Sequence, residues 1–241
     1  VITGIVVALP EELGTLTSVK ITKGNCASIK DNVLVAYSGA GAENAQRAAK
    51  LLIDNGADQL ISWGCAAAIA VGLKPGDLVL ADRILTADHK AIVIDKIWHN
   101  TCQSLLAHQL TMHVGQLLES KRLIATSQEK QLLNLASLAI ALDMESAAVA
   151  QIAQQHQLPF LVLRAIADPV EMDLPSAIGH SLNSAGDVEI GKLLLFLVRH
   201  PSETLGLIKL GWHFQAAKNT LKKVATQLDA IVNFNATTPF A

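Results

Sequence analysis

Short apolar runs recur along this chain, each bounded by a turn or helix signal, and three of them break off at an acidic residue. Ile2–Leu9 (ITGIVVAL) leads to Pro10-Glu11-Glu12, Leu138–Leu142 (LAIAL) to Asp143-Met144-Glu145, and Pro159–Ala167 (PFLVLRAIA) to Asp168-Pro169. Runs of this kind read as buried parallel strands. In an open α/β sheet, ligands bind beyond the carboxyl ends of the strands. Acids at three such ends can converge on one pocket. Carboxylates around a reacting bond suit general acid/base chemistry and the stabilisation of an oxocarbenium ion.

Between these runs the pattern alternates. Pro10 suits the first turn of a short helix. Residues 17–38 read as short strands separated by turns at Lys23-Gly24-Asn25 and Lys30-Asp31-Asn32, and Gly39-Ala40-Gly41 ends the last of them, VLVAYS. Glu43–Asn55 has helical spacing, Gln59–Trp63 is a strand closed by Gly64, and Pro75-Gly76 turns into a strand at Asp77–Ala81. Residues 95–119 read as helix, Leu123–Thr126 as a strand and Ser146–Gln157 as a small-residue helix. Such alternation predicts a mostly parallel or mixed sheet covered on both faces. Residues 202–232 read as one long helix carrying Leu205, Ile208, Trp212, Phe214, Leu221 and Val224 beside Lys209, Lys218, Lys222 and Lys223. That helix docks on the body or another subunit, or it meets a membrane or lipid. The division expected is an α/β domain over residues 1–200 and a packed helical extension over residues 201–241.

Composition narrows the classes. A chain of 241 residues with 51% hydrophobic and 17% charged residues builds a sizeable core and is not disordered. A formal charge of −2 argues against a nucleic-acid binder. Cys26, Cys65 and Cys102 are far apart and form no C-x-x-C, which fits free thiols in a reducing, cytoplasmic compartment and no zinc site. No basic leader precedes the first strand and no apolar stretch is long enough to span a bilayer, so neither a signal peptide nor a membrane span is expected.

Each acid has a bland alternative. Glu12, in a first helical turn, is favoured as an anion by the helix dipole and can orient or deprotonate a water, yet acids there are ordinary helix-start chemistry. With Asp143 as N-cap, Glu145 also falls in a first turn, where it can accept sugar hydroxyls or merely complement the dipole. Asp168 follows the most apolar strand, where burial raises a carboxyl pKa and suits a general acid, although Asp before Pro is also common turn chemistry. Gly39-Ala40-Gly41 is not G-x-G-x-x-G, because Asn44 stands at the third glycine; a dinucleotide site is disfavoured, though backbone N–H groups there can approach a ligand. Gly64-Cys65-Ala66-Ala67-Ala68 is a small-residue loop that lines the pocket or packs closely. Of eight histidines, His89 is the one expected nearest the cleft.

The motifs VVALPEEL, SGAGAENAQRAAKLL, SWGCAAAIAVGLKPGDLVLAD, LDMESAAVAQIA and PFLVLRAIAD resemble, in order over residues 2–170, those of the nucleoside phosphorylase and nucleosidase superfamily. The tail, from Gly191-Lys192-Leu193-Leu194 through His200-Pro201, is similar to the hopanoid-associated phosphorylases, which release adenine from adenosylhopane. The resemblance implies a single α/β domain with a central mixed, mostly parallel and partly barrel-like β-sheet flanked by helices, ending in a long amphipathic helix. It implies that Asp168 protonates the departing purine, that Glu145 and Met144 hold the ribose, and that Glu12 positions the nucleophilic water. Gly41, Cys65 and Ala66 join the substrate-binding set. It implies cleavage of a ribosyl N-glycosidic bond with no cofactor beyond phosphate as a co-substrate, a homo-oligomer, and peripheral membrane contact through the last helix. The chain departs from the phosphorylases, which carry arginines where Gly14 or Glu11 and Ser62 stand and a hydroxyl residue at Cys65. No guanidinium there can neutralise phosphate, so water is favoured as nucleophile. Ala167 replaces the serine that nucleosidases use for the base, and Gln128 and Glu129 occupy the segment expected to supply a stacking aromatic. The alternatives are a methylthioadenosine/S-adenosylhomocysteine nucleosidase and a non-catalytic nucleotide-binding module.

Overall fold

Five strands close a ring at the centre of the molecule. The computed structural model describes residues 1–181, 195–196, 199–200 and 203–233. The Gly191-Lys192-Leu193-Leu194 motif, Pro201 and the chain beyond residue 233 lie outside the described residues. The strands are β1 (Thr3–Val7), β2 (Asn25–Lys30), β3 (Val33–Tyr37), β4 (Gln59–Ala68), β5 (Leu78–Leu85), β6 (Ala91–Val93), β7 (Met112–Glu119), β8 (Ala141–Asp143) and β9 (Phe160–Asp168). They pair in the order β2-β3-β1-β4-β8-β7-β5-β6, and β9 pairs with both β4 and β5. The strands β4, β8, β7, β5 and β9 thus form a barrel-like closure, from which β1, β3 and β2 extend as an open wing.

The helices are α1 (Pro10–Leu16), α2 (Ala42–Asp54), α3 (Lys96–Leu106), α4 (Ser127–Ser137), α5 (Ser146–Gln155), α6 (Ser176–Ser181), α7 (Glu203–Ala225) and α8 (Leu228–Val232). Pro10 opens α1 as its missing N–H allows. All nine residues of β9 are buried, because the strand has neighbours on both edges and helices against it. The α/β fold with a mixed, partly closed sheet, flanking helices and a long last helix is the architecture expected.

Several expectations are corrected. The 95–119 segment is helical only to Leu106; Met112–Glu119 is β7, paired in parallel with β5. The slot between β5 and β8 selects the extended form, which the period alone does not reveal, and Gly115 lets the Ile140 side chain pack close against the strand. Leu123–Thr126 is not a strand, because β7 already holds the place beside β8. Strand β4 does not stop at Gly64 but runs on to Ala68, where β8 pairs with it antiparallel. The three acid-terminated runs are therefore not all parallel to their neighbours: β1 and β9 run parallel to β4, and β8 runs against it. The last helix breaks at Thr226 and Gln227 into α7 and α8. Its C-terminal half buries Ala217, Thr220, Leu221 and Val224, with Thr220 Oγ1 donating to the Gly76 carbonyl at 2.5 Å.

Candidate active site

Gly64, in the middle of β4, is where the site is built. A Cβ at this position would lie 2.4 Å from Arg164 Nη1 and 2.5 Å from Glu12 Oε1, so only glycine lets both charged groups approach the strand. Glu12 is the third residue of α1, and its Oε2 accepts the N–H groups of Ala8 (3.1 Å) and Leu9 (3.0 Å). Its Oε1 accepts the Cys65 N–H at 2.7 Å. Thr15 Oγ1 donates to the Glu12 carbonyl at 2.6 Å and receives the Trp63 indole N–H at 3.0 Å, which locks α1 over β4. Burial pushes the Glu12 pKa up, while Arg164 and the three backbone N–H groups oppose it. A carboxylate offers about four lone-pair sites, so one is left for a water.

Arg164 is wholly buried within β9, whose other residues before Asp168 are all apolar. Its Nε lies 2.6 Å from Asp143 Oδ2, its Nη2 donates to Ser62 Oγ at 2.7 Å and to Ser146 Oγ at 3.0 Å, and its Nη1 reaches the Cys65 carbonyl at 3.4 Å. Burial works against the guanidinium charge, but Asp143, Glu145 and Glu12 outweigh it and raise its pKa. Asp143 is not the N-cap expected. Glu145 holds that position, and Asp143 instead takes the Ser146 N–H on Oδ1 at 3.1 Å and Arg164 on Oδ2. Glu145 Oε1 accepts the Gly41 N–H at 2.8 Å, which the φ of 96° at Gly41 presents to it. Burial first and Asp143 second push the Glu145 pKa to about 7, against Arg164. Asp143 pairs directly with the guanidinium, and Glu12 and Glu145 lie within its electrostatic reach, so the cluster favours an additional positive charge.

Asp168 ends β9, in register with Ala67 of β4, and is 8% exposed. Its carboxylate bonds to Lys130 rather than to the other acids: Lys130 Nζ donates to Asp168 Oδ1 at 2.6 Å. Burial raises the Asp168 pKa to about 6, with the Lys130 charge opposing and Asp173 adding to the rise.

The structure thus ties Gly41 to Glu145 and Cys65 to Glu12, and groups Glu12 and Glu145 about Arg164. Ala66 is buried in β4 beside Cys65, and Met144 is half-buried between Asp143 and Glu145. His89 lies exposed in the β5–β6 turn at a left-handed φ of 61°. Sequence reasoning missed Arg164 and Lys130. A charge inside PFLVLRAIA was a usable signal for the first; a lysine on a helix gave none for the second. Two surface grooves near α5 and β6, lined in part by Ile92, Gln154 and Phe160, include none of these residues. Among the described residues, no group of three His, Cys, Asp or Glu side chains is arranged to hold a metal ion.

A family model described as the phosphorylase superfamily matches residues 3–185. The 5′-methylthioadenosine/S-adenosylhomocysteine nucleosidase of Staphylococcus aureus is 28% identical over 194 residues, covering 68% of this chain and 85% of that protein. A solved Helicobacter pylori nucleosidase with 5′-methylthioadenosine in its active site has the same fold, with a TM-score of 0.72 and 18% identity over 96% of this chain and 98% of the other. Futalosine hydrolase of H. pylori also superposes, with a TM-score of 0.70 and 17% identity over 96% and 97% of the two chains.

Proposed function

Because the chain belongs to the phosphorylase superfamily, we propose that it hydrolyses the N-glycosidic bond of an adenosyl nucleoside and releases adenine, with the lipid-linked adenosylhopane of hopanoid biosynthesis as its substrate. The observation that carries the chemistry is the buried cluster of Glu12, Asp143 and Glu145 around the single guanidinium of Arg164. A ribosyl ring that becomes cationic in the transition state gains attraction from this excess of negative charge, and an incoming phosphate loses it.

On this reading the residues take the following roles. Glu12, held by three N–H groups, orients a water and takes its proton as the water oxygen bonds to C1′. Glu145 accepts the ribose hydroxyls beside Met144, while Gly41, Cys65 and Ala66 line the approach. Asp168 protonates the base as the C1′–N bond breaks. Arg164 is already committed to Asp143, Ser62 and Ser146, which supports water over phosphate as nucleophile.

The lipid-linked substrate is supported by α7, which lies beyond the residues matched by the family model and leaves Leu205 (77%) and Trp212 (72%) exposed near Lys209. Basic helices with an apolar aromatic face meet lipid surfaces, and peripheral membrane contact through α7 belongs to this proposal. Among the described residues, no helix is long and apolar enough to cross a membrane. A second reading, methylthioadenosine/S-adenosylhomocysteine cleavage, is favoured by the S. aureus relative. A non-catalytic nucleotide module is disfavoured, since clustered carboxylates repel phosphates. The test is incubation with adenosylhopane, methylthioadenosine or S-adenosylhomocysteine, with and without phosphate, and chromatography for adenine. Adenine and free sugar in phosphate-free buffer are expected, with adenosylhopane preferred. No adenine from any of the three overturns the proposal, and adenine only with phosphate overturns the hydrolytic part.

A further inference from the structure

Among the described residues, Trp63, Trp98, Arg164 and Lys130 are the largest side chains wholly removed from solvent. The chemistry above uses Arg164 but leaves Lys130 without a role. Lys130 projects from α4, and its ammonium has three acceptors: Asp168 Oδ1 at 2.6 Å, the Met172 carbonyl at 2.8 Å and the Pro169 carbonyl at 3.2 Å. Three donors meet three acceptors, so the group is fully satisfied where it stands. Two further bonds clamp the start of α4 to the chain that follows Asp168. Leu174 N–H donates to the Ala125 carbonyl at 2.7 Å, and Ser127 N–H donates to Asp173 Oδ1 at 2.6 Å.

We propose that Lys130 is the positioning residue for the acid of this reaction, holding Asp168 by Oδ1 so that the proton is delivered from Oδ2. The inference rests on the nucleosidase reading. When the C1′–N bond breaks, its electron pair goes to the base, the Asp168 proton moves from Oδ2 to the base nitrogen, and the carboxylate left behind is already paired with an ammonium. Burial alone makes Asp168 reluctant to give up its proton; a cation fixed on the opposite oxygen lowers that reluctance without competing for the proton. The charged groups facing Asp168 are Lys130 from α4 and Asp173 from the following loop. A buried lysine that only staples the Pro169–Leu174 loop would make the same bonds to carbonyls, so the test must separate the two roles.

Lys130→Met and Lys130→Gln are made in the natural chain and in an Asp168→Asn background, with methylthioadenosine and adenosylhopane as probes. The glutamine variant retains N–H donors for the loop carbonyls and serves if the methionine variant does not fold. Removing the lysine is expected to lower kcat by about 100-fold with little change in KM in the natural background, and by no more than about threefold when Asp168 is already Asn. Equal losses in the two backgrounds overturn the proposal. A second readout needs no turnover: carbon-13 titration of the Asp168 carboxyl, assigned by its loss in Asp168→Asn. Its midpoint is expected to rise when Lys130 is replaced, and an unmoved midpoint overturns the proposal as well. If the natural protein releases adenine from neither probe, it is the nucleosidase reading that fails, and the titration still decides whether Lys130 governs the Asp168 proton.

Discussion

Arg164 and Asp168 sit four residues apart on one strand and are held by different partners, Asp143 and Lys130 respectively. That separation lets one part of the site remain a fixed cation among acids while the other gains and loses a proton. Replacing Asp168 by Asn should lower kcat by about 10²–10⁴-fold and leave KM within a few-fold, as measured by adenine release; an equal loss in substrate affinity would argue against an acid role. Gly64→Ala should abolish turnover, since the added methyl would overlap both the Glu12 carboxylate and the Arg164 guanidinium, and kinetics on the purified variant will show it. The buried carboxyls also predict how stability depends on pH. Glu145 and Asp168 have folded-state pKa values of about 7 and about 6, above their ordinary values of 4.5 and 3.8. Between those limits the folded state binds more protons than the unfolded state, so stability falls as pH rises through the window. The ligand-free protein should therefore melt at a higher temperature at pH 5.5 than at pH 7.5. The difference should shrink in the Glu145→Gln, Asp168→Asn double variant, as calorimetry will report.

The elements show which sequence signals carry over into structure. Pro10 at the start of α1 and the apolar run of β9 were legible because a rigid φ and full burial are local demands on residue type. Strand β7 was not, since Met112–Glu119 satisfies helical spacing too and only the slot between β5 and β8 selects the extended form. Helix α7 buries residues along its C-terminal half and is more exposed along its N-terminal half. Leu221→Ala should cost about 2–5 kcal/mol in urea unfolding, because Leu221 is wholly buried. Leu205→Ser, on the more exposed half, should change stability by no more than about 0.5 kcal/mol. If α7 serves a lipid-linked substrate, the Leu205 change should nonetheless lower turnover of adenosylhopane in vesicles while sparing methylthioadenosine.

In the whole molecule, ring closure through β9 brings Gly64, Arg164 and Asp168 onto adjacent strands, while β8 returns against β4 to deliver Glu145. The proposed division at residue 200 and the proposed homo-oligomer also belong to this scale. Leu132, Leu135 and Leu138 at α4 are exposed, and light scattering after size exclusion should give a mass above the 25.6 kDa of one chain.

The sequence by itself determined the α/β class, the helix that starts at Pro10 and the three acids worth watching, because apolar runs, proline and glycine act over a few residues. Only the tertiary structure decided that β8 runs against β4, that Arg164 lies among three carboxylates and that Lys130 grips Asp168. Those are contacts between residues far apart in the chain. Burying a charge is unfavourable until its partner is in place, and the partner is identified only when the chain has folded.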